Sequence, residues 1–278
     1  MSVFQAIVLG VVQGLTEFVP ISSTAHLAIA QALLKIRDAD LARSFDVVLH
    51  LGTALALIVS TRDLLLGIVS EALRAVTGQP AADETNRALL APIVVGTIPG
   101  VLAGLFLLKR FDAFRTLSTI GMAMMAACVY FLVAERVGER RSSSERRLSG
   151  INLLDALLVG LAQAAAGLLP GLSRSGMTIS TGRLRGLRRD EATRFSFLLA
   201  LPIILGAGAK TLLDLRKEHG PAIGFVPLAA GFLASAIVGY FTVEFLLRYL
   251  KTHTLRPFAV YLGVLGAFLL VASRFIAV

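Results

Sequence analysis

Long apolar segments are the feature of this sequence that most restricts its fold. A helix needs about 20 predominantly apolar residues to cross the hydrocarbon core of a bilayer, with a range of about 17–25. Six segments meet or approach this length: 46–60, 88–108, 117–134, 195–213, 223–247 and 257–273. The sequence therefore predicts an all-α polytopic membrane protein with six transmembrane helices.

The overall composition agrees with this prediction. Of the 278 residues, 56% are hydrophobic and 16% are charged, whereas soluble domains contain about 45–50% apolar and about 25% charged residues. These values exclude an ordinary soluble enzyme and a disordered chain. The single cysteine, Cys128, excludes a disulfide within the chain. We expect one membrane domain over residues 1–278.

Two further apolar regions, 2–34 and 151–184, are interrupted by polar blocks. The blocks read FVPISSTAH and LLPGLSRSGMTIST, and each places a proline and several hydroxyls inside an apolar region. Irregular backbone at membrane depth is tolerated only where protein or a water-filled cavity covers it. We therefore interpret both regions as re-entrant helical hairpins that enter and leave on the same side.

The net charge of +9 is explained first by topology. Lys and Arg collect in the cytoplasmic loops of membrane proteins. With the N-terminus outside, sixteen of the 27 cations fall in inner loops and ten fall outside. Those inner loops are 62–87, 135–150, 183–194 and 248–256. This bias predicts that both termini are outside. The arginine run 183–194 has no interleaved aromatic residues for base stacking, so no nucleic acid partner is expected.

The two halves of the chain share polar residues at fixed distances. Gln13 and Gln163, Pro20 and Pro170, and Ser23 and Ser173 lie 150 positions apart, and Pro92 and Pro227 lie 135 apart. We predict two repeats, about 1–137 and about 151–278, although coincidence between apolar stretches is the alternative. Three spans per repeat give an inverted-topology repeat, and interrupted segments at matching positions indicate a site near the bilayer midplane.

The first polar block contains ionisable residues in an apolar setting. Gln13 and Glu17 are four residues apart and share one helix face. A charged residue at this depth costs about 2.5–3.5 kcal/mol on insertion scales, which favours a function for Glu17. His26 is a candidate acid, base or nucleophile. A buried structural histidine is the alternative for His26, and for His50, which no polar motif accompanies, we prefer it.

The second polar block has the chemistry of a phosphate cradle. Arg174 offers a planar set of donors that matches phosphate oxygens. Ser173, Ser175 and Thr178 add hydroxyls, and a helix that begins near Ser175 would add free backbone N–H groups. A structural ion pair between Glu17 and Arg174 is the alternative.

The motifs QGLTEFVPISSTAH and PGLSRSGMT resemble the two signatures of the bacterial undecaprenyl-diphosphate phosphatases of the bacitracin-resistance type. The resemblance covers nearly the whole chain and includes ATRFSFLLALP. It implies hydrolysis of undecaprenyl diphosphate to undecaprenyl phosphate and inorganic phosphate, with a divalent metal, Mg²⁺ or Ca²⁺, as cofactor. It also implies the bacterial inner membrane, recycling of the carrier lipid for the cell wall, and six spans with two re-entrant hairpins in inverted repeats.

The resemblance implies metal binding by Glu17 and Gln13. The other functional residues that it implies form two groups. The catalytic candidates are Glu17, Ser23, His26, Ser173 and Arg174. The phosphate-binding candidates are Ser22, Thr24, Arg174, Ser175 and Thr178. Two departures appear: Gln13 cannot supply a second carboxylate, and Ala25 replaces a glycine common before the histidine, which puts a positive φ there in doubt.

Several alternatives stay open from sequence. The nucleophile is His26, a hydroxyl of Ser23 or Ser173, or a water molecule, and we favour a hydroxyl or water assisted by His26. A secondary transporter or flippase of a prenyl-phosphate lipid is the alternative function, because inverted repeats with broken helices are typical of transporters. The oligomeric state, including a homodimer, is not determined.

Overall fold

The computed structural model describes residues 1–107, 116–141, 145–218 and 223–275, and within these ranges the chain forms eleven α-helices. The helices are α1 (Val3–Thr16), α2 (Ser23–Leu33), α3 (Ala39–Ser60), α4 (Arg62–Val76), α5 (Glu84–Phe106), α6 (Leu117–Arg140), α7 (Leu153–Leu168), α8 (Arg174–Leu184), α9 (Arg189–Glu218), α10 (Phe225–Thr252) and α11 (Arg256–Ala272). The described chain is therefore all-helical, as the sequence predicts.

Five of these helices, α3, α5, α6, α9 and α10, are long and apolar enough to cross a membrane. They overlap five of the six predicted spans. The sixth predicted span corresponds to α11, an apolar helix of 17 residues. The prediction of a multi-pass helical membrane protein is confirmed at this level. Position 108 and the predicted outer cations Lys109, Arg110 and Arg115 lie outside the described residues.

Helix α4 occupies the segment that the sequence analysis treats as an inner loop. It is amphipathic: Leu66, Val69, Leu73 and Val76 recur every three or four residues and form an exposed apolar face, whereas Glu71 is buried. Glu71 Oε1 accepts hydrogen bonds from the backbone N–H groups of residues 82 and 83, at 3.0 Å each. These bonds tie α4 to the start of α5. A search for long apolar runs misses α4 because its apolar residues recur at helical spacing instead of forming a run.

Both interrupted regions contain the expected helix break. α1 and α2 are separated by residues 17–22, and α7 and α8 by residues 169–173. Each break contains a proline and ends on a serine with positive φ, Ser22 at 72° and Ser173 at 61°. Such a conformation costs a non-glycine residue of order 1–3 kcal/mol. Phe18 anchors the first break in the core, where its ring meets Phe197 edge-on at 5.2 Å between ring centroids.

Close helix contacts hold the broken regions against the rest of the bundle. α1 packs on α10, and α7 packs on α5. Gly10 faces the backbone of Gly231, and Gly160 faces the backbone of Gly96, with too little space for a Cβ atom at either site. Backbone atoms cannot move aside as a flexible side chain can, so both helix pairs depend on these glycines.

We predict that Gly160→Ala lowers the thermal stability of the protein in detergent. The added methyl group would collide with the backbone of Gly96, and overpacking of this kind costs about 1–3 kcal/mol. Gly206→Ala in α9 is the matched control, because a Cβ atom there meets nothing within 4 Å. Equal melting temperatures for Gly160→Ala and wild type would contradict the prediction.

Candidate active site

Glu17 is the centre of a polar cluster built from four helices, α1, α2, α3 and α8. Its side chain is only 4% exposed, and its Oε1 accepts a hydrogen bond from Arg174 Nη2 at 2.6 Å. Its Oε2 accepts from Ser23 Oγ at 2.8 Å and from Gln13 Nε2 at 3.0 Å. His50 Nε2 lies 3.4 Å from the same Oε2 atom. The structure therefore brings together four of the predicted site residues, three from the first half and Arg174 from the second. It adds His50, for which the sequence favours a structural role.

The two helix breaks explain why these residues meet. Glu17 directly follows the last residue of α1, Ser23 begins α2 and Arg174 begins α8. Because both chain segments break at the same place in the bundle, side chains 157 positions apart in sequence come into contact. A buried carboxylate is tolerated only when it is paired and hydrogen-bonded, and here both of its oxygen atoms are.

Two atoms beside Glu17 are buried and lack hydrogen-bond partners among the described residues. They are the donor Nη1 of Arg174 and the acceptor Oε1 of Gln13. An unsatisfied buried polar group costs about 1–3 kcal/mol, so such atoms need an explanation. A bound ligand with an anionic oxygen for Nη1 and a cation or N–H group for Oε1 would satisfy both.

The hydroxyls of the second polar block make hydrogen bonds within the protein. Ser173 Oγ lies 3.5 Å from Ser175 Oγ and accepts from a backbone N–H of the first turn of α8 at 3.4 Å. Thr178 Oγ1 lies 2.6 Å from Ser196 Oγ and donates to the Arg174 carbonyl at 2.9 Å. Ser173 thus caps α8. Ser175 and Thr178 are buried and can reach a ligand only by giving up these contacts.

His26 is held at both ring nitrogens. Nδ1 lies 2.8 Å from the carbonyl oxygen of Ser22, and Nε2 lies 2.6 Å from the hydroxyl of Tyr261 in α11. Because a carbonyl only accepts, Nδ1 carries the proton and Nε2 accepts from Tyr261. The positive φ of this motif falls on Ser22, whereas Ala25 lies inside α2. Thr24 is exposed at the start of α2.

Three residues of this region are not predicted as site residues from the sequence: His50, Ser196 and Tyr261. For His50 the sequence favours a structural role, yet the structure places it against Glu17. A usable signal exists, because His50 and Asp46 are two ionisable residues four positions apart in one predicted span. Ser196 and Tyr261 carry no such signal, since single hydroxyls in spans usually make interhelical hydrogen bonds.

The donor atoms set limits on a metal site. Within the described part of the chain, no group of three or more His, Cys, Asp or Glu side chains is placed to hold a metal ion. Glu17 supplies one carboxylate, and Gln13 supplies a carboxamide oxygen without a partner. This set fits Mg²⁺, which proteins bind through one or two carboxylates together with substrate phosphates. It does not fit a metal held by protein ligands alone.

Comparisons with known proteins agree on one family. The model of the bacitracin resistance protein BacA matches residues 6–268. An undecaprenyl-diphosphatase of Rubrobacter xylanophilus is 40% identical, over 96% of this chain and 97% of its own length. Undecaprenyl-diphosphatases of Chlorobaculum tepidum, 41% identical over 98% and 97%, and of Gemmatimonas aurantiaca, 40% identical over 99% and 100%, are similar to the same extent.

The pairing of Glu17 with Arg174 predicts a specific pattern of stabilities. Arg174→Met leaves the Glu17 carboxylate buried without its cation, and breaking a buried pair costs about 3–5 kcal/mol. Glu17→Gln/Arg174→Met removes both charges and should recover most of this loss. Melting temperatures in detergent measure the cycle. A double variant no more stable than Arg174→Met would contradict the pairing.

Proposed function

The chain belongs to the family of the bacitracin resistance protein BacA, and we propose that it hydrolyses undecaprenyl diphosphate to undecaprenyl phosphate and inorganic phosphate. The observation that carries this proposal is the pair of unpartnered atoms beside Glu17, one donor and one acceptor. A diphosphate headgroup supplies oxygens for the donor. Such an activity recycles the carrier lipid for cell-wall synthesis and lowers the amount of the lipid that bacitracin binds.

Arg174 is the proposed anchor for the diphosphate. One arm of its guanidinium group is fixed by Glu17, so the group is already oriented, and Nη1 is left for a phosphate oxygen. Thr24 is exposed and lies near the start of α2, where free backbone N–H groups favour an anion. Ser22, Ser175 and Thr178 complete the proposed phosphate contacts.

Glu17 and Gln13 would hold the divalent metal, Mg²⁺ or Ca²⁺. When bound, the metal neutralises phosphate charge as a Lewis acid. The Glu17 carboxylate contributes charge, and Gln13 Oε1 contributes an oxygen that has no other partner in the described structure. All of these side chains come from one chain, so the proposed reaction does not require a homodimer.

Ser23 is the proposed nucleophile. Its hydroxyl is oriented by Glu17 Oε2, and His26 lies three positions later on the same face of α2. For the attack of Ser23 Oγ on the terminal phosphorus, the hydroxyl turns from Glu17 Oε2 to His26 Nε2, which releases the Tyr261 hydroxyl and accepts the proton. The bond from phosphorus to the bridging oxygen breaks, and undecaprenyl phosphate departs with that proton. Water then attacks phosphoserine, gives a proton to His26, and releases phosphate as the proton returns to Ser23. Ser173, which caps α8, is the alternative hydroxyl.

The finer architecture is part of the same proposal: six spans, two re-entrant hairpins and inverted repeats over about 1–137 and 151–278, with both termini outside the inner membrane. Reciprocal packing supports the repeat. α1 of the first half packs on α10 of the second, and α7 of the second packs on α5 of the first. With 14 and 16 residues, α1 and α7 are short for a span, which favours hairpins.

Phosphate release from undecaprenyl diphosphate in detergent tests the function. We expect release by wild type and a loss of about 10²–10³-fold in Arg174→Ala, because an oriented charge partner of the reacting group is removed. Glu17→Ala, Ser23→Ala and His26→Ala should also be strongly impaired. Unchanged rates in all four would refute the site.

The transporter alternative is separated from this proposal with sealed vesicles. Movement of the lipid that depends on Glu17 and Arg174, without phosphate release, would favour transport. Trapping of phosphate on His26 instead of Ser23 would refute the hydroxyl mechanism.

Gln13 variants test the metal proposal. Gln13→Leu removes the carboxamide oxygen and should raise the Mg²⁺ concentration for half-maximal activity by about 10–100-fold. Gln13→Glu adds a carboxylate and should lower that concentration. Titration of chelator-treated protein with Mg²⁺ gives both values. An unchanged Mg²⁺ requirement in both variants would exclude Gln13 as a ligand.

A further inference from the structure

His50 contacts the proposed site from a helix that carries no signature motif. Its Nε2 lies 3.4 Å from Glu17 Oε2, the oxygen that also accepts from Ser23 and Gln13. α3 thereby becomes the third helix, after α1 and α2, to contact this one oxygen atom. Oε1 is occupied from the other side by Arg174.

The orientation of the His50 ring is fixed by its own helix. Nδ1 lies 2.7 Å from the carbonyl oxygen of Asp46, one turn earlier in α3. This carbonyl only accepts, so Nδ1 donates to it and Nε2 is directed at the carboxylate. Because a carboxylate also only accepts, the ring acts as a donor at both nitrogens.

The backbone around His50 is also held firmly. Ser235 of α10 donates a buried hydrogen bond to the carbonyl of Leu49 at 3.0 Å. Gly52, two residues beyond His50, lies so close to α10 that a Cβ atom would collide with Ser235. The imidazole is therefore attached to a rigid part of the bundle. Its side chain is 33% exposed, against 4% for Glu17, so it borders the buried carboxylate on a more accessible side.

We propose that His50 is a positioning residue for the phosphatase reaction. Its Nε2–H fixes the position of Glu17 Oε2. The carboxylate in turn fixes the orientation of the Ser23 hydroxyl and of the Arg174 guanidinium group. This inference rests on the proposed function. Without His50, Gln13 is the remaining N–H donor to Oε2 in the described structure, and the carboxylate gains freedom to rotate away from Ser23.

The test compares two substitutions at one position. His50→Ala removes the donor, and His50→Gln keeps an N–H donor while removing the imidazole. We expect His50→Ala to lower kcat by about 10–100-fold with KM changed by less than about threefold, because the substrate itself does not lose a contact. His50→Gln should restore kcat to within about threefold of wild type.

A control and a stability measurement distinguish positioning from a structural role. His253 at the end of α10 makes the same kind of contact, with Nδ1 3.3 Å from the carbonyl of Tyr249 four positions earlier. His253→Ala should leave kcat unchanged. Equal loss of kcat in His50→Ala and His50→Gln, or a loss that follows a fall in melting temperature, would overturn the inference.

The wild-type rate separates this inference from the function beneath it. Phosphate release by wild type with an unaffected His50→Ala variant would overturn the positioning role alone. Absence of release by wild type would reject the proposed function, and the inference with it.

Discussion

The contact between Glu17 and Arg174 joins two chain segments whose helices are both broken. Each charge is costly in an apolar bundle, and each lowers the cost of the other by direct pairing at 2.6 Å. The pair forms where α1 ends, at Glu17, and where α8 starts, at Arg174. The breaks and the charges therefore depend on each other. The breaks bring the two charged side chains together, and their pairing makes it possible to bury both charges in an apolar bundle.

The breaks themselves use one local device twice. A proline interrupts the helical hydrogen bonds, and a serine with positive φ turns the chain into the next helix. The residue that follows each serine, Ser23 in one case and Arg174 in the other, reaches Glu17. Counted from these serines, the two breaks correspond at 151 positions, one more than the separation of Pro20 and Pro170, because the second serine follows its proline by three residues instead of two.

The sequence alone predicts the all-helical membrane class, the two breaks, and the residues Glu17 and Arg174, since polar groups are conspicuous where the surroundings are apolar. It does not predict His50 at Glu17 or Tyr261 at His26, because these contacts depend on how α3 and α11 are rotated against α1 and α2. It also misses α4, whose apolar residues recur at helical spacing in a segment rich enough in charge to resemble a loop. The residue types of the two polar blocks are enough to predict their chemistry. The contacts that these residues make with other helices are known only from the packed structure.

The proposed repeat duplicates the helices but not the charged residues of the Glu17 cluster. Gln163 matches Gln13, is buried, and likewise has an Oε1 atom without a partner among the described residues. The position that matches Glu17, however, is Gly167, where a Cβ atom would meet nothing within 4 Å. With no carboxylate there, no counterpart of the Glu17 cluster can pair with a cation. The second half instead contributes its arginine to the first half's carboxylate, so the two halves share one charged cluster.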